Sequence, residues 1–590
     1  MIEEKWSLAG NKVNVAEIAQ KYNLDIIIAK LITNRNILQD VDIKSYIKPV
    51  YENFNDPTGL KDLSKAVDII NTKIKENKKI RIVGDYDVDG VVSTYVLMKG
   101  LSRCGADVDY QIPDRIKDGY GINKSIIEIA HNDNVDTIIT CDNGIAAIEQ
   151  IAYAKELGMT VIVTDHHDVA FVENEDNTRT YITPSADAVV NPKQQDCNYA
   201  FDKICGAGVA FKLIEQLHKL NNIEKEETYK LIEFVAIATV CDVVDLVNEN
   251  RIFVKNGLEM INNTNNIGLI ELIKASGLEG KTITGYHLGF VIGPCINASG
   301  RLDSAQKGLE LLLSTDQEKA EMLACEIVAL NTERKEMTLK GVDRAVEIIE
   351  SNNLLKNPIL VVYIENIHES LAGIIAGRIK EKYNRPTIIL TKSEEGVKGS
   401  ARSIEEYNIF EGLVANKQYL SKFGGHPMAA GLSLTQENIS NLREGLNQNH
   451  NLTNEDLKRK IKMDLLLPLT EVSMDFIDKL ETLEPFGKGN NKPTFGIKDA
   501  SIISARVMGR DKNVIKLRLS VNGYSGIDAM IFKDKMEEFE EKIINKYGRD
   551  TLEKLYNSAN NDIKMDFSYY PTINEYNGNK SVQIIINNIR

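Results

Sequence analysis

Three short runs rich in β-branched residues, KIRIV at 79–83, TIIT at 137–140 and TVIVT at 160–164, each end in a cluster of acids. The runs lead into GDYDVDG (84–90), CDNG (141–144) and DHHD (165–168), and amphipathic stretches of helix length, 91–103 and 145–157, lie in between. Apolar runs that alternate with helix-length segments predict βαβ units and a parallel sheet. In such a sheet the carboxyl ends of neighbouring strands open onto one crevice. The three clusters are therefore predicted to meet. Carboxylates gathered in one place repel each other unless a cation neutralises them.

A further apolar run, 234–240, leads to Asp242 and Asp245 and adds to the acids. Carboxylates with one or two imidazoles and no thiolate favour Mn²⁺ or Mg²⁺ over a structural zinc. Two such ions about 3.5–4 Å apart activate a water and stabilise an in-line phosphoryl displacement. Simpler readings of the pieces are weaker. DxDxDG also opens calcium loops, but the twelfth position counted from Asp85 is Val96, where that loop needs Glu. DNG alone is usually a turn, and adjacent histidines are often polar loop residues. It is the combination that is specific. Cys141 and Cys241, beside the predicted ligands, read as small buried apolar residues. Gly280-Lys281-Thr282 is no phosphate loop, because Ala275 holds the upstream glycine position. His368-Glu369 is no zinc-protease motif, because position 372 is Ala.

Composition adds bounds. With 43% hydrophobic and 26% charged residues in 590, the chain is ordinary globular material for several domains. No apolar run approaches the roughly 18–20 residues of a bilayer span, and the first residues lack the pattern of a signal peptide. Seven cysteines without a CxxC pair suit a reducing compartment. The expectation is a cytoplasmic protein with no membrane partner. A net charge of −14 gives no general affinity for nucleic acid, so any such affinity must be local. Residues 501–520 carry Arg506, Arg510, Lys512, Lys516 and Arg518 against Asp511 alone. Lys516 and Arg518 alternate with Leu517 and Leu519, which predicts a strand with one cationic face. Tyr569, Tyr570 and Tyr576 are candidates for base stacking, with core packing as the competing reading. Residues 320–350 predict one long helix, 358–446 a second α/β region, and those from 463 onward short strands with Gly, Asn and Asp turns, as in a small β-barrel.

The motifs DYDVDG (85–90), DNG (142–144), DHH (165–167) and ATVCDVVDL (238–246) resemble those of the DHH phosphoesterase superfamily. IPDRIKDGYG (112–121), GAGVAFKL (206–213), NASGRLDSA (297–305), HESLAGIIAGRIK (368–380), GSARS (399–403) and GGHPMAAG (424–431) are similar to those of its RecJ branch. So are LEPFGKGNNKPTF (483–495) and INEYNGNKSVQIIINNI (573–589). The resemblance implies an α/β architecture with an N-terminal helical segment (1–55), a parallel-sheet DHH catalytic domain (56–319) and a connecting helix (320–352). A second α/β, substrate-binding DHHA1 domain (353–452) and a C-terminal OB-type nucleic-acid-binding barrel (453–590) complete it. It implies a single-stranded-DNA-specific exonuclease that degrades 5′→3′ to 5′-mononucleotides with two Mn²⁺ or Mg²⁺ ions. The implied setting is DNA repair and recombination, as a monomer, with a helicase and a single-strand-binding protein as partners.

Carried over residue by residue, the resemblance makes Asp87, Asp89, Asp142, His166 and Asp242 the metal ligands. Asp142 would lie between the ions, Asp89, His166 and Asp242 would complete one site, and Asp87 would belong to the other. His167 would orient the site or contact the scissile phosphate. Two positions depart from the pattern: Val83 stands where many members have a His, leaving Asp85 or water as substitute donors, and Asp245 replaces a Pro. Arg115, Ser400 and Arg402 match positions that hold the terminal 5′-phosphate. His426 is assigned to substrate phosphate and Arg301 to nucleic acid, against a core histidine and a structural ion pair. The competing functions are a DHH phosphodiesterase of short oligonucleotides or cyclic dinucleotides, and a catalytically silent scaffold of a replication complex.

Overall fold

The acid-terminated runs become strands β1 (Ile80–Val83), β3 (Thr137–Cys141) and β4 (Thr160–Thr164), joined by β2 (Val108–Gln111) and β5 (Ala188–Val190). The computed structural model describes every residue except 1–2, 11, 175–177, 395, 510, 522–523 and 559–560. Arg510 thus lies outside the described residues. All five strands are parallel, in the order 2-1-3-4-5. The winding reverses between β1 and β3, the switch point at which open α/β sheets bind ligands. β2 and β5 escape sequence reading because VDYQ is half polar and AVV is only three residues long.

Helix α1 (Val88–Arg103) starts at Asp87, whose carboxylate accepts the Gly90 N–H at 3.1 Å. Helices α2 (Gly206–Leu220) and α3 (Ile232–Cys241) pack against it. The apolar run at 234–240 is therefore a helix. It is apolar on all sides because other helices surround it, and an apolar run alone cannot separate that case from a buried strand.

The predicted long helix is α4 (Gln317–Ser351), 35 residues and about 52 Å at 1.5 Å per residue. Its first half buries Ala320, Leu323 and Ile327 in the catalytic core. Its last turns bury Ala345 and Ile349 in the core of the second domain. That domain has a five-stranded mixed sheet: Leu360–Tyr363 and Thr387–Ser393 run parallel, and Gly396–Arg402, Ala429–Leu434 and Lys422–His426 continue antiparallel.

In the C-terminal domain Phe495–Met508 pairs with both Val514–Val521 and Lys564–Tyr576. Tyr524–Phe532 pairs with Val514–Val521 and with Asn579–Ile589, which in turn pairs with Lys564–Tyr576, so the ring closes. This is the five-stranded barrel of the OB type. Strands of 14, 13 and 11 residues correct the expectation of short ones. Helices Lys533–Tyr547 and Arg549–Tyr556 interrupt the barrel where the sequence pattern predicts only strands and turns.

The N-terminal segment packs on this domain. Strand Glu4–Leu8 runs parallel to Arg459–Met463, and Ile28, Leu31, Ile32 and Ile43 share a core with Leu467, Phe476 and Phe495. Buried Arg251 joins it to the catalytic domain, donating to the carbonyls of Tyr46 (2.9 Å), Leu483 (3.0 Å) and Thr482 (3.2 Å). Among the described residues, no helix is long and apolar enough to cross a membrane.

Candidate active site

β1, β3 and β4 deliver their acids to one place, as their parallel register requires. Asp85, Asp87 and Asp89 follow β1, Asp142 follows β3, His166 and His167 follow β4, and Asp242 caps the C-terminus of α3. A carboxylate at that helix end faces the negative pole of the helix dipole, which adds to the demand for positive charge. Three groups of donor atoms lie within 4.8 Å of one another: Asp89, His166 and Asp242; Asp142, His166 and His167; Asp85, Asp87 and Asp142. Asp142 belongs to two of them.

The approach is tight and built by backbone. Asp142 has φ +60°, a left-handed turn that Asp tolerates better than most residues. Gly206 opens α2 against it, and a Cβ there would lie 2.8 Å from the Asp142 carboxylate. The first N–H groups of α2 at Gly206 and Ala207 donate to Asp89 at 2.6 and 2.8 Å. Asn143 is not a ligand. It is fully buried and pins the switch point, donating to the carbonyls of Val83 (3.0 Å) and Cys141 (2.9 Å).

Electrostatics test whether a cation fits. Burial, then the charges of Asp89 and Asp87, push Asp142 well above the usual carboxylate range. Burial and Asp87 raise Asp89 to about 6, and burial with Asp89 raises Asp242 to about 8. Burial and Asp87 also raise Asp85. His166 is held neutral, lowered to about 3 by burial and by the charge of His167. Its Nε2 lies 3.1 Å from Asp142 Oδ1, too uncharged for an ion pair, and both atoms are buried without a hydrogen-bond partner. Two donor atoms converging at this distance, with Asp142 ionised only when positive charge is near, suit a shared cation; adjacent ligands of an octahedral Mg²⁺ sit about 3 Å apart. Asp85 Oδ1 is orphaned in the same way. The donor set, all oxygen and imidazole nitrogen, fits Mn²⁺ or Mg²⁺. Val83 is buried among Ile122, Ile126 and Val163, so its side chain offers nothing to the site.

Asp165, which sequence reasoning left without a role, organises the turn. Its Oδ1 accepts the N–H groups of His166 (2.7 Å) and His167 (3.1 Å) and meets His167 Nδ1 at 2.8 Å, while Oδ2 accepts the Ile145 N–H at 2.9 Å. Burial opposes protonation of His167, but Asp165 prevails and raises it to about 9. Tyr120 was also missed. Its hydroxyl donates to the Asp142 carbonyl at 3.0 Å and lies 3.2 Å from His167 Nδ1. A carboxylate directly preceding two predicted site histidines was the available signal for Asp165.

A cavity of about 310 Å³ opens from the acids and is lined also by Arg115, Asn297 and Arg301. The Arg115 guanidinium lies 3.7 Å over the Tyr86 ring and donates to the Gly300 carbonyl. Arg301 makes no ion pair among the described residues; it donates to the Ser370 carbonyl of the second domain at 2.9 Å. Three residues on, Gly373 sits at the start of helix Ala372–Tyr383, where a Cβ would lie 2.8 Å from Arg402 Nη2 and 3.0 Å from Ser400 Oγ. Arg402 donates to Ser400 Oγ at 3.2 Å. Exposed His426 stands 3.9 Å from Asp168, just past the histidine pair, so it is not a core histidine. His426 thus approaches the catalytic domain, Ser400 and Arg402 cluster at Gly373 within the second domain, and Arg115 and Arg301 line the cavity of the acids.

The barrel surface decides between two pairs of alternatives. Leu517 and Leu519 are buried and Lys516 and Arg518 point outward as predicted, but both cations pair with Asp528 on the next strand, at 2.7 and 2.8 Å. The face is not a free cationic strip. Tyr569 and Tyr570 are core, Tyr569 donating to the Leu467 carbonyl, and only Tyr576 is exposed.

A switch-point cluster of carboxylates and imidazole, beside a cavity that the acids share with two guanidiniums, defines a metal-dependent phosphoesterase of the DHH class. The family model for the DHH N-terminal domain matches residues 79–239, that for the DHHA1 domain 356–451 and that for the RecJ OB domain 463–588. The chain is 36% identical over 529 residues to the single-stranded-DNA-specific exonuclease RecJ of Bacillus subtilis, covering 89% of this chain and 65% of that protein. It is 32% identical to the Haemophilus influenzae protein of the same name, covering 90% and 91%. The crystal structure of RecJ in complex with Mn²⁺ from Thermus thermophilus superposes with a TM-score of 0.79 at 25% identity, covering 100% of this chain and 79% of that one. The chain belongs to the RecJ family of metal-dependent, single-stranded-DNA-specific exonucleases.

Proposed function

We propose that the chain degrades single-stranded DNA from its 5′ end to 5′-mononucleotides at the Asp142-centred cluster. The observation that carries this is the converging pair of orphaned atoms, Asp142 Oδ1 and His166 Nε2, beside a cavity where Asp87, Asp89 and Asp242 meet the guanidiniums of Arg115 and Arg301. Asp87, Asp89, Asp142, His166 and Asp242 would hold two Mn²⁺ or Mg²⁺ ions, with Asp85 as a further donor. Such ions supply an activated water and stabilise in-line displacement at phosphorus.

The chain's own groups bind and orient the strand. Arg115, held flat on Tyr86, and Arg301 present donors to phosphate oxygens near the scissile bond. Ser400, Arg402 and the first N–H groups of helix Ala372–Tyr383 hold the terminal 5′-phosphate. A fixed chain end sets the register of the cut, which makes the enzyme an exonuclease. His167, kept cationic by Asp165, faces the substrate phosphate, and His426 approaches it from the second domain. The setting is cytoplasmic DNA repair and recombination, with the chain as a monomer working beside a helicase and a single-strand-binding protein.

The test is Mn²⁺-dependent digestion of 5′-labelled and 3′-labelled single strands beside duplex, with Asp142→Asn as control. The 5′ label is expected to leave first as mononucleotide, with duplex spared and the variant inactive. Early loss of the 3′ label would reverse the polarity. Strand binding without cleavage in either metal would make the chain a scaffold.

A further inference from the structure

The two helices that hold metal ligands at one end enclose a second cavity at the other. α1 carries Asp87 at its N-cap and Asp89 in its first turn, and α3 ends at Asp242. Asp89 meets Asp242 at the metal cluster, and further along Tyr95 meets Phe234 with ring centroids 4.2 Å apart, so the helices run antiparallel. At the end remote from the metals the last turns of α1, the first turn of α3, His218 of α2 and Asn266 surround a cavity of about 300 Å³. The ten residues from Asp89 to Lys99 put its rim about 15 Å along α1 from the metal ligands. None of its groups takes part in the chemistry at the acids.

Rim and floor differ in chemistry. Tyr95, Lys99 and Arg103 recur at every fourth residue of α1 and so share one face, and Lys230 joins them from the segment before α3. The three cations are exposed and meet Glu227 alone at the rim. Arg103 lies 3.9 Å from it and Lys230 pairs with it as well, while Lys99 makes no ion pair among the described residues. In a chain of net charge −14 this surplus is a local attraction for an anion. The floor is the buried apolar surface of Tyr95, Leu231 and Phe234, broken by two polar groups. The Tyr95 hydroxyl accepts from Asn266 Nδ2 at 3.3 Å, and its own proton meets no acceptor among the described residues. Glu233, 8% exposed, makes no ion pair among the described residues, and burial holds its carboxyl above the usual range. His218 is already engaged, by the Gly100 carbonyl at 3.1 Å and the Thr228 hydroxyl at 2.8 Å. A buried carboxyl without a counter-charge costs stability, and a contact between apolar helix faces does not require one.

We propose that this cavity is a binding site for a nucleoside 5′-monophosphate, separate from the metal centre. The base lies on the Leu231–Phe234 floor and presents its edge to the Tyr95 hydroxyl, a donor, and the Glu233 carboxyl, an acceptor. The phosphate is held at the rim by Lys99, Arg103 and Lys230 through charge-assisted hydrogen bonds. The volume, at the lower end of the range for ligand pockets, suits one nucleotide and not a strand. An occupant touches both helices whose other ends hold Asp89 and Asp242. The site stands apart from the strand-degrading reading, since it rests on groups that reading does not use.

Equilibrium dialysis of labelled 5′-dAMP against the full chain in EDTA tests it, with inorganic phosphate, 2-deoxyribose 5-phosphate and deoxyadenosine as competitors. The wild type is expected to bind the nucleotide, and Arg402→Ala, which disables the phosphate pocket of the second domain, to retain this site. Lys99→Glu/Arg103→Glu, a reversal of two exposed charges, should weaken binding by more than about tenfold. Tyr95→Phe should weaken 5′-dAMP by about fivefold and leave inorganic phosphate unaffected, because the hydroxyl meets only the base. Each competitor should displace the nucleotide far less well than unlabelled 5′-dAMP, since each lacks the base or the phosphate. No binding at millimolar 5′-dAMP would overturn the site. So would binding that is lost in Arg402→Ala and kept in the rim variant, which would place the nucleotide in the second domain. Inorganic phosphate competing as well as 5′-dAMP would overturn it too, leaving an anion site without a base.

Discussion

Asp165 shows how much of the site depends on a residue that touches no substrate. Its carboxylate takes three backbone N–H groups and orders His167, so the direction in which His166 and His167 point depends on it. Asp165→Asn places an amide against donors that need an acceptor. Groups that orient metal ligands typically cost about 10–100-fold in metal affinity or activity when altered. The expected outcome is a loss of that size, with the Mn²⁺ requirement shifted to higher concentration; a wild-type Mn²⁺ titration would contradict it. Asp87, Asp89, Asp142 and His166 were legible in the sequence because each directly follows or lies just beyond an apolar run. The division of labour inside Asp165-His166-His167 was not, because spacing cannot say which carboxylate faces the backbone and which the cavity.

The strand that carries Lys516 and Arg518 teaches the same lesson one level up. Alternation with buried Leu517 and Leu519 fixed which way each side chain points. It could not reveal that both cations face Asp528, because strand register is set by the turn between them. If the barrel face contacts the strand, Asp528 holds two cations in reserve. Asp528→Asn is then expected to tighten single-strand binding and to steepen its salt dependence by about one counterion, at roughly 0.7 per phosphate neutralised. Titrations at several salt concentrations measure this, and an unchanged slope would place the nucleic acid elsewhere on the barrel. The apolar run at 234–240 was legible as buried but not as helical, since burial on all sides erases the periodicity that separates helix from strand.

Across the whole molecule, three regions distant in sequence meet at one buried cation. Arg251 ties Tyr46 of the N-terminal segment and the 482–483 turn of the C-terminal domain to the catalytic domain. Nothing local in the sequence marks this, because the partners lie some 200 residues away on either side. Arg251→Ala takes this donor from the Tyr46 and Thr482 carbonyls, while Leu483 keeps Asn490 Nδ2 at 2.8 Å, at roughly 1–3 kcal/mol for each buried polar group left unpaired. The expected result is a lower melting temperature, with the N- and C-terminal unit separating from the catalytic unit in calorimetry. A single unchanged transition would mean that the domains hold together without it.

The central claim is that the switch-point acids are a two-metal centre organised on Asp142. Mn²⁺ bound per chain, measured by equilibrium dialysis on the wild type and on Asp142→Asn, tests it most directly. Two ions in the wild type and a loss at both sites in the variant are predicted, since Asp142 belongs to two of the three donor groups. An Asp142→Asn chain that still binds two ions with wild-type affinity would contradict it.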